Sequence, residues 1–392
     1  MRIGLISQEY PPETAKGGIG TQTYLKAHGL TALGHQVRVI SRSPSSLRTE
    51  HEEDGVCVIR VPSTSMPVYT ELADWLSYSQ CVAAEIATQQ AREPFDVLDF
   101  PEWACEGLVH LLNQSEWNRV PTVIHLHGPL VMLAHTLGWP DPNTEFFRMG
   151  SQMEAASLRL ANAVFSSSAC SADWCASEYG LDRDRIPVMH TGIDTELFHP
   201  RPVAKAADPT IVFVGKMVRN KGVEILVDAA CEIANDFPGL QLRLLGGGEE
   251  SIIESLRAKV AERGLEHMLD IPGYIARKDL PDQLSRAQVF AAPSEYEGGP
   301  GFVYLEAMAC GLPVIGCSGS GAAEVIQDGE SGLLVNPNDV SHLASALRRL
   351  LADKAEREAM GINAQKSVSQ TADCKICVPQ IAAFYETVIA TK

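Results

Sequence analysis

The sequence predicts an α/β protein made of two doubly wound parallel-sheet domains. Three observations carry this. A chain of 392 residues is long for one domain and ordinary for two. Its opening runs strand, glycine-rich loop, helix, strand, which is the start of a βαβ unit. The same succession restarts at residue 210, where TIVFVG leads into KMVRNKG and a helix from Val223.

Taken in order, residues 2–7 are apolar with little alternation, as a strand buried on both faces should be. The loop EYPPETAKGGIG follows, and a helix over 21–33 places Tyr24, Leu25, Leu30 and Leu33 at helical spacing before Gly34 stops it. A strand is expected at 37–41. G-G-I-G is not the dinucleotide fingerprint, which needs G-x-G-x-x-G and an acidic residue at the end of the next strand; Ser41-Arg42 stands there instead. Residues 43–65 read as an extended hairpin, 70–91 as a long helix and 96–100 as a strand. Glu102 and Trp103 follow at that strand's carboxyl end, where open α/β sheets bind ligands, so both are candidates for acceptor contact. A Trp packing the domain edge fits the same residue.

Strand 120–128 carries His125 and His127 at a spacing of two, on one face. His127, beside Gly128 at the strand's end, is the stronger candidate; His125 reads as a buried structural histidine. Helix 144–160, strand 163–167 and a helix from Ser171 complete the first domain. The boundary lies in 186–200, with 201–209 as linker.

In the second domain, strand 210–215 is followed by Lys216 and Lys221. Two cations at the top of the first strand suit a leaving diphosphate. Strands at 240–246 and 269–271, a helix at 278–285 and a strand at 288–292 come next. Then 293–317 reads PSEYEGGPGFVYLEAMACGLPVIGC. Gly298, Gly299, Pro300 and Gly301 form a turn of exposed backbone. It opens a helix over 302–309, with Gly311 at its C-terminal end and Pro313 barring continuation. Free N–H groups there suit an anion. Two carboxylates beside it, Glu297 and Glu306, make sense if they grip hydroxyls of a diol. Phosphate plus diols describes a nucleotide sugar. A strand over G-L-L-V, a helix at 339–352 and a last helix at 375–390 close the chain.

Composition bounds the partners. The net charge of −17 and a pI near 5.1 argue against nucleic acid. Residues 1–190 hold 13 Lys and Arg against 22 Asp and Glu, so no basic half stands out. Ten cysteines without a framework read as reduced thiols of a cytoplasmic protein, and the lone C-x-x-C of Cys374 and Cys377 is a poor metal site. The start, MRIGLIS, enters a strand at once, without the pattern of a signal peptide.

The signature resembles that of the family 4 (group 1) retaining glycosyltransferases of the GT-B fold. There a Glu, seven residues and a second Glu precede A-M-A-x-G-x-P-V. L-E-A-M-A-C-G-L-P-V-I matches from Leu305 onward, but the family's first Glu falls on Gly298, so Glu297 is one residue early. The opening is similar too, with Pro11-Pro12 before Gly17-Gly18 and Gly34-His35 before V-R-V. IPVMHTGIDTELFHP resembles the family's crossing segment, and F-V-G-K-M-V-R-N-K-G its F-V-G-R-x-x-x-x-K-G, with Lys216 in place of Arg.

The resemblance implies two Rossmann-like domains facing across a cleft: an acceptor-binding domain over 1–198, a nucleotide-sugar domain over 199–373, and a helix over 374–392 crossing back to the first. It implies transfer of a sugar from a nucleotide diphosphate to an acceptor hydroxyl with retention. Glu306 would hold the ribose, Glu297 a donor-sugar hydroxyl, and His127 the donor sugar. Lys216 and Lys221 would neutralise the leaving diphosphate. Backbone at Gly17, Gly18, Gly246, Gly299, Pro300, Gly301, Phe302 and Val303 would approach the phosphates, and Tyr274 and Ile275 the base. No cofactor and no metal are expected. The acceptor would be a sugar, a small molecule or a lipid-linked compound; the acidic first domain favours a soluble or weakly membrane-associated one, while weak peripheral docking on a membrane needs only a small patch. Two other readings fit the same residues: another nucleotide-sugar reaction such as epimerisation, and a nucleotide-sugar-binding or scaffold protein without turnover.

Overall fold

The computed structural model describes residues 1–14, 18–62, 70–115, 117 and 119–391. The chain forms two compact units, Met1–Gly192 together with Cys374–Lys392, and Ile193–Asp373. The division falls inside the 186–200 segment.

The first unit holds strands β1 (Arg2–Ile6), β2 (Gln36–Arg42), β3 (Thr49–Glu53), β4 (Val56–Val61), β5 (Val97–Pro101), β6 (Thr122–Leu126) and β7 (Ala163–Ser166). Their order is β3-β4-β2-β1-β5-β6-β7. All neighbours run parallel except β3, which returns antiparallel on β4 with Thr49 opposite Arg60. The apolar central strands are buried on both faces, with Ile3, Val39, Val97 and Leu126 fully covered. β3, TEHEE, is polar and exposed, which suits an edge strand because charge there discourages pairing with another chain. The hairpin expected at 43–65 is this β3–β4 pair, and β4 also extends the parallel sheet.

The second unit holds β8 (Thr210–Val214), β9 (Gln241–Leu245), β10 (Leu269–Gly273), β11 (Val289–Ala291), β12 (Val314–Cys317) and β13 (Gly332–Val335). Their order is β10-β9-β8-β11-β12-β13, every pair parallel. In both sheets the first strand lies between its immediate successor and a later strand. The gap beyond β1 and β5, and the gap beyond β8 and β11, are therefore the two topological switch points, where α/β sheets open a crevice at their carboxyl ends.

Helices cover the sheets largely where the periodicity puts them, at Gly18–Ala32, Glu71–Arg92, Glu145–Leu160, Val223–Ile233, Phe302–Ala309, Val340–Ala352 and Cys374–Ala390. Four more, at Leu108–Asn113, Leu130–Leu137, Glu250–Ala261 and Lys354–Thr371, are not predicted above. Lys354–Thr371 buries only Met360, Gly361, Ala364 and Val368, and so narrow a stripe of small residues gives little apolar signal. Residues 201–209 are not a loose linker. Ala206 N donates to Arg286 O at 2.9 Å and Lys205 Nζ to Ala287 O at 2.6 Å, which fastens the segment to the second unit. The helix Cys374–Ala390 belongs to the first unit, where Val378, Ile381 and Tyr385 join the core formed by Ile3, Leu5 and Val39.

Candidate functional site

At the second unit's switch point, β8 ends in Val214 and the chain passes through exposed Lys216 into a turn at Arg219–Lys221. Across the gap, β11 leads into Ser294–Glu297. Lys221 Nζ lies 2.6 Å from Glu297 Oε1, so an ammonium and a carboxylate bridge the crevice. Glu295 N and Ser294 Oγ bond to Asn220 O at 3.0 and 3.3 Å, tying the two loops together. Gly222 makes this closeness possible. Its φ is +69°, and a Cβ there would stand 2.1 Å from Pro293 O. Beside it, Gly246 packs its Cα on Gly215 O, where a Cβ would come within 2.0 Å. Gly246 thus sits where β8 and β9 end side by side.

The turn Gly298–Gly301 is held by Gly321 N, which donates to Glu297 O at 3.0 Å. It delivers the chain into the helix Phe302–Ala309, with Tyr304 fully buried beneath Gly301 and its hydroxyl bonded to Ala292 O. The amides of Phe302 and Val303, both half-buried, fall in the helix's first turn, which has no intrahelical acceptors for them. Gly299 is half-buried, and Pro300 and Gly301 are buried. Glu306 is one turn further in, and its side chain is 3 % exposed. Burial pushes its carboxyl up, and Arg277 opposes that push from 2.5 Å. Arg277 is itself stacked over Phe198, 4.8 Å from the ring centre. The sequence reading misses Arg277, because nothing along the separation of 29 positions from Glu306 signals their contact. Tyr274 is 81 % exposed and Ile275 half-buried beyond β10.

In the first unit, Gln8 and Glu9 follow β1, Trp103 and Glu106 follow β5, and the helix Gly18–Ala32 begins between them. Gln8, Glu9, Gly18, Ile19, Trp103 and Glu106 line a cavity of about 280 Å³ at this switch point. Both oxygens of Glu106 accept from Gln8 N at 3.0 Å. Gly17 lies outside the described residues.

Glu102 is not available to an acceptor, contrary to its sequence reading. It is buried, and its Oε1 accepts from His127 N at 2.8 Å and Gly128 N at 2.5 Å. Its role is to hold the backbone that presents His127. His125 is a core residue. Lys26 Nζ lies 3.2 Å from its Nδ1 and 2.8 Å from Asp99 Oδ2, Tyr385 bonds to the same Asp99 oxygen, and His125 Nε2 meets Ser167 Oγ at 2.8 Å. An ammonium can only donate, so Nδ1 of His125 is the acceptor and its proton sits on Nε2. The His127 ring lies 4.0 Å from that of His125. Burial, with Lys26 adding to it, holds His127 well below the usual imidazole range. His127 is therefore a neutral ring at the end of β6, able to donate one hydrogen bond and accept another.

The first unit also buries Glu154, which accepts from Leu130 N at 3.0 Å and from the Tyr179 hydroxyl. Among the described residues no group of three or more His, Cys, Asp or Glu could hold a metal ion. Among them, too, no helix is long and apolar enough to cross a membrane.

Two family models match the chain, glycosyltransferase family 4 over residues 16–197 and glycosyl transferases group 1 over residues 194–367. A GDP-mannose-dependent α-(1-6)-phosphatidylinositol monomannoside mannosyltransferase of Mycobacterium tuberculosis is 34% identical over 390 residues, covering 92% of this chain and 91% of that protein. A D-inositol 3-phosphate glycosyltransferase of an Arthrobacter species is 29% identical over 377 residues, covering 90% and 86%. Among solved structures, a sucrose-phosphate synthase of Thermosynechococcus elongatus superposes with a TM-score of 0.83 at 25% identity over all of both chains. Anabaena HepE, solved with UDP and glucose, gives 0.78 at 22% identity, covering 99% of this chain and all of that one. With the relationship to the mycobacterial enzyme running along nearly its whole length, the chain belongs to the group 1, family 4 glycosyltransferases and has their GT-B fold.

Proposed function

We propose that this protein transfers a hexose from a nucleoside diphosphate donor to an acceptor hydroxyl with retention at the anomeric carbon. The observation that carries the reading is the Lys221–Glu297 pair across the second unit's switch point, flanked by exposed Lys216 and the first turn of Phe302–Ala309. These groups together match a sugar diphosphate. The ammonium groups of Lys216 and Lys221 stabilise charge that grows on the diphosphate as its bond to the sugar breaks. The amides of Gly18, Gly299, Gly301, Phe302 and Val303 take phosphate oxygens, and Gly246 lets the chain approach closely. Glu306, with one oxygen fixed by Arg277, offers the other to the ribose. The base lies along Tyr274 and Ile275. Glu297 and neutral His127 bond hydroxyls of the donor sugar. The acceptor oxygen forms the new bond to the anomeric carbon, and its proton passes to the departing diphosphate oxygen. The lysines supply the positive charge that a metal supplies elsewhere, so a chelator should leave turnover intact. The nucleotide sugar is a substrate and no further cofactor is required. Such donors are made in the cytoplasm, where we place the protein.

The test has two stages. A thermal-shift panel of UDP-, GDP-, ADP- and TDP-sugars should single out one base, because ligand at about 100 times its dissociation constant adds about 2.7 kcal/mol. With that donor, an active transferase releases free nucleoside diphosphate only when an acceptor is glycosylated. An epimerase would release none and change the sugar, and an inactive binding protein would do neither. Lys216→Ala or Lys221→Ala should lower turnover about 100-fold or more, while Lys216→Arg is tolerated. Near-wild-type turnover in both alanine variants would remove the leaving-group assignment.

A further inference from the structure

Glu306 has to accept hydroxyl hydrogens from a ribose, and it sits where an ionised carboxyl is costly. Its side chain is 3 % exposed, and Leu305 and Ala307 on either side of it are buried. A carboxyl taken out of water holds its proton unless a cation or hydrogen bonds compensate the charge. A protonated carboxyl brings a donor to a place where the ribose also brings donors. Arg277 supplies the compensation. Beyond β10 the chain turns at Arg277–Asp279 and enters a helix over Leu280–Arg286. Leu280 N closes that turn on Arg277 O. The guanidinium is laid over the ring of Phe198, which is fully buried. From there Nη1 reaches Glu306 Oε1 at 2.5 Å. The other oxygen is the one offered to the ribose in the scheme above, and its two lone pairs match two hydroxyls.

The charges around Glu306 fit this arrangement. Burial pushes its carboxyl up, and Arg277 opposes the push both by its charge and by its hydrogen bond. One turn on, Cys310 feels the charges of Glu306, Arg201, Lys205 and Asp282; burial, with Glu306 next, pushes its thiol up to about 12, so it stays neutral near neutral pH. Breaking a buried pair by removing one partner leaves the other uncompensated. Loss of Arg277 would therefore change what Glu306 is, as well as where it points.

We propose that Arg277 is a positioning residue for the donor, acting through Glu306, which it holds in the state and orientation that receive the ribose. The inference rests on the transferase reading and adds to it a residue outside the signature. The test is donor binding, measured by calorimetry without acceptor at pH 6.0, 7.0 and 8.5. The probe is whichever of UDP-glucose, GDP-mannose, ADP-glucose and TDP-glucose stabilises the protein most. The phosphates of these diesters stay ionised throughout the range, so the probe does not titrate. Binding of none of the four by the parent would defeat the transferase reading itself, and this inference with it. The parent's affinity should change less than about twofold across the range. Arg277→Met should bind about tenfold or more weakly at pH 6.0. The deficit should shrink about threefold or more by pH 8.5, because the uncompensated carboxyl ionises as pH rises. Arg277→Lys keeps a cation on the same turn and should restore a pH-independent affinity within about fivefold of the parent. Arg277→Met/Glu306→Gln removes both charges, which a fold tolerates better than losing one, and should bind weakly at every pH. An equal deficit in Arg277→Met at all three pH values would reduce Arg277 to a packing role and overturn the proposal. So would parent-like binding in Arg277→Met, Arg277→Lys as weak as the double variant, or a pH dependence that survives in the double variant.

Discussion

At the scale of single residues, the two signature glutamates separate into different jobs. Glu297 is held by Lys221 at a loop, with its side chain 13 % exposed. Glu297→Ala should lower turnover strongly and leave the melting temperature nearly unchanged, because its side chain is tied to Lys221 on a neighbouring loop rather than packed into the sheet's core. Glu306→Ala should instead weaken nucleoside diphosphate binding about tenfold or more by calorimetry, and Glu306→Gln should recover part of that. Normal turnover in Glu297→Ala would mean that backbone N–H groups of the glycines in the turn Gly298–Gly301 do the work of the family's first carboxylate. The first unit's buried carboxyls give a pH signature. Burial pushes Glu102 up to about 7, Glu106 up to about 8 and Glu154, which also faces Glu102, up to about 8. A carboxyl raised on folding favours the fold while protonated. Its contribution is whole below the ordinary carboxyl pKa and is lost as pH rises through the folded value. Stability of the first unit should therefore fall from about pH 5 to about pH 8, by at most about 1.4 kcal/mol per pH unit for each carboxyl. Denaturant titrations at several pH values check this, and Glu106→Gln should flatten the slope. None of these three burials is legible in the sequence. Glu102 reads as a ligand contact because it follows a strand end, and only its distances to His127 N and Gly128 N show that it serves the backbone.

At the scale of elements, the strands were the readable part. Their apolar runs and the glycines that follow them are local signals, and β1, β2, β8 and the helix Phe302–Ala309 fall where those signals lie. Pairings between distant segments were not readable. Arg277 finds Glu306, Lys26 finds Asp99 and His125, and Tyr385 reaches Asp99 from the far end of the chain. Each such pair has one partner whose residue type would be equally at home on a surface. The close approach at Gly222 gives a test at this scale. Gly222→Ala needs both a left-handed φ and room that Pro293 O occupies, so the β11 loop must move. The variant should lose about 1–3 kcal/mol of stability. It should also lose turnover beyond what Lys221→Ala loses, because Glu297 moves with the loop. Urea unfolding and initial rates on the same sample separate the two effects.

At the scale of the whole molecule, the chain leaves the first unit at Gly192, builds the second, and returns at Cys374. The returning helix fills a place made for it: Gly29 carries no side chain where Val378 packs, and a Cβ there would lie 2.9 Å from Val378 Cγ2. Removing residues 374–391 should therefore uncover the core around Ile3, Leu5 and Val39 and leave the first unit unable to fold, while the second unit keeps its own core. Limited proteolysis of the truncated chain should leave a resistant fragment close to residues 193–373; survival of the first unit's fragment would refute this. The same arrangement sets an order of events on the ribosome. The second unit is complete in sequence once residue 373 has been made and can fold when it clears the exit tunnel. The first unit, although translated earlier, waits with an open groove over Gly29 until the last helix emerges. Its half-finished apolar surface is exposed throughout synthesis of the second unit, roughly 10–40 s at 5–20 residues per second, which makes the N-terminal half the part of this protein expected to occupy chaperones.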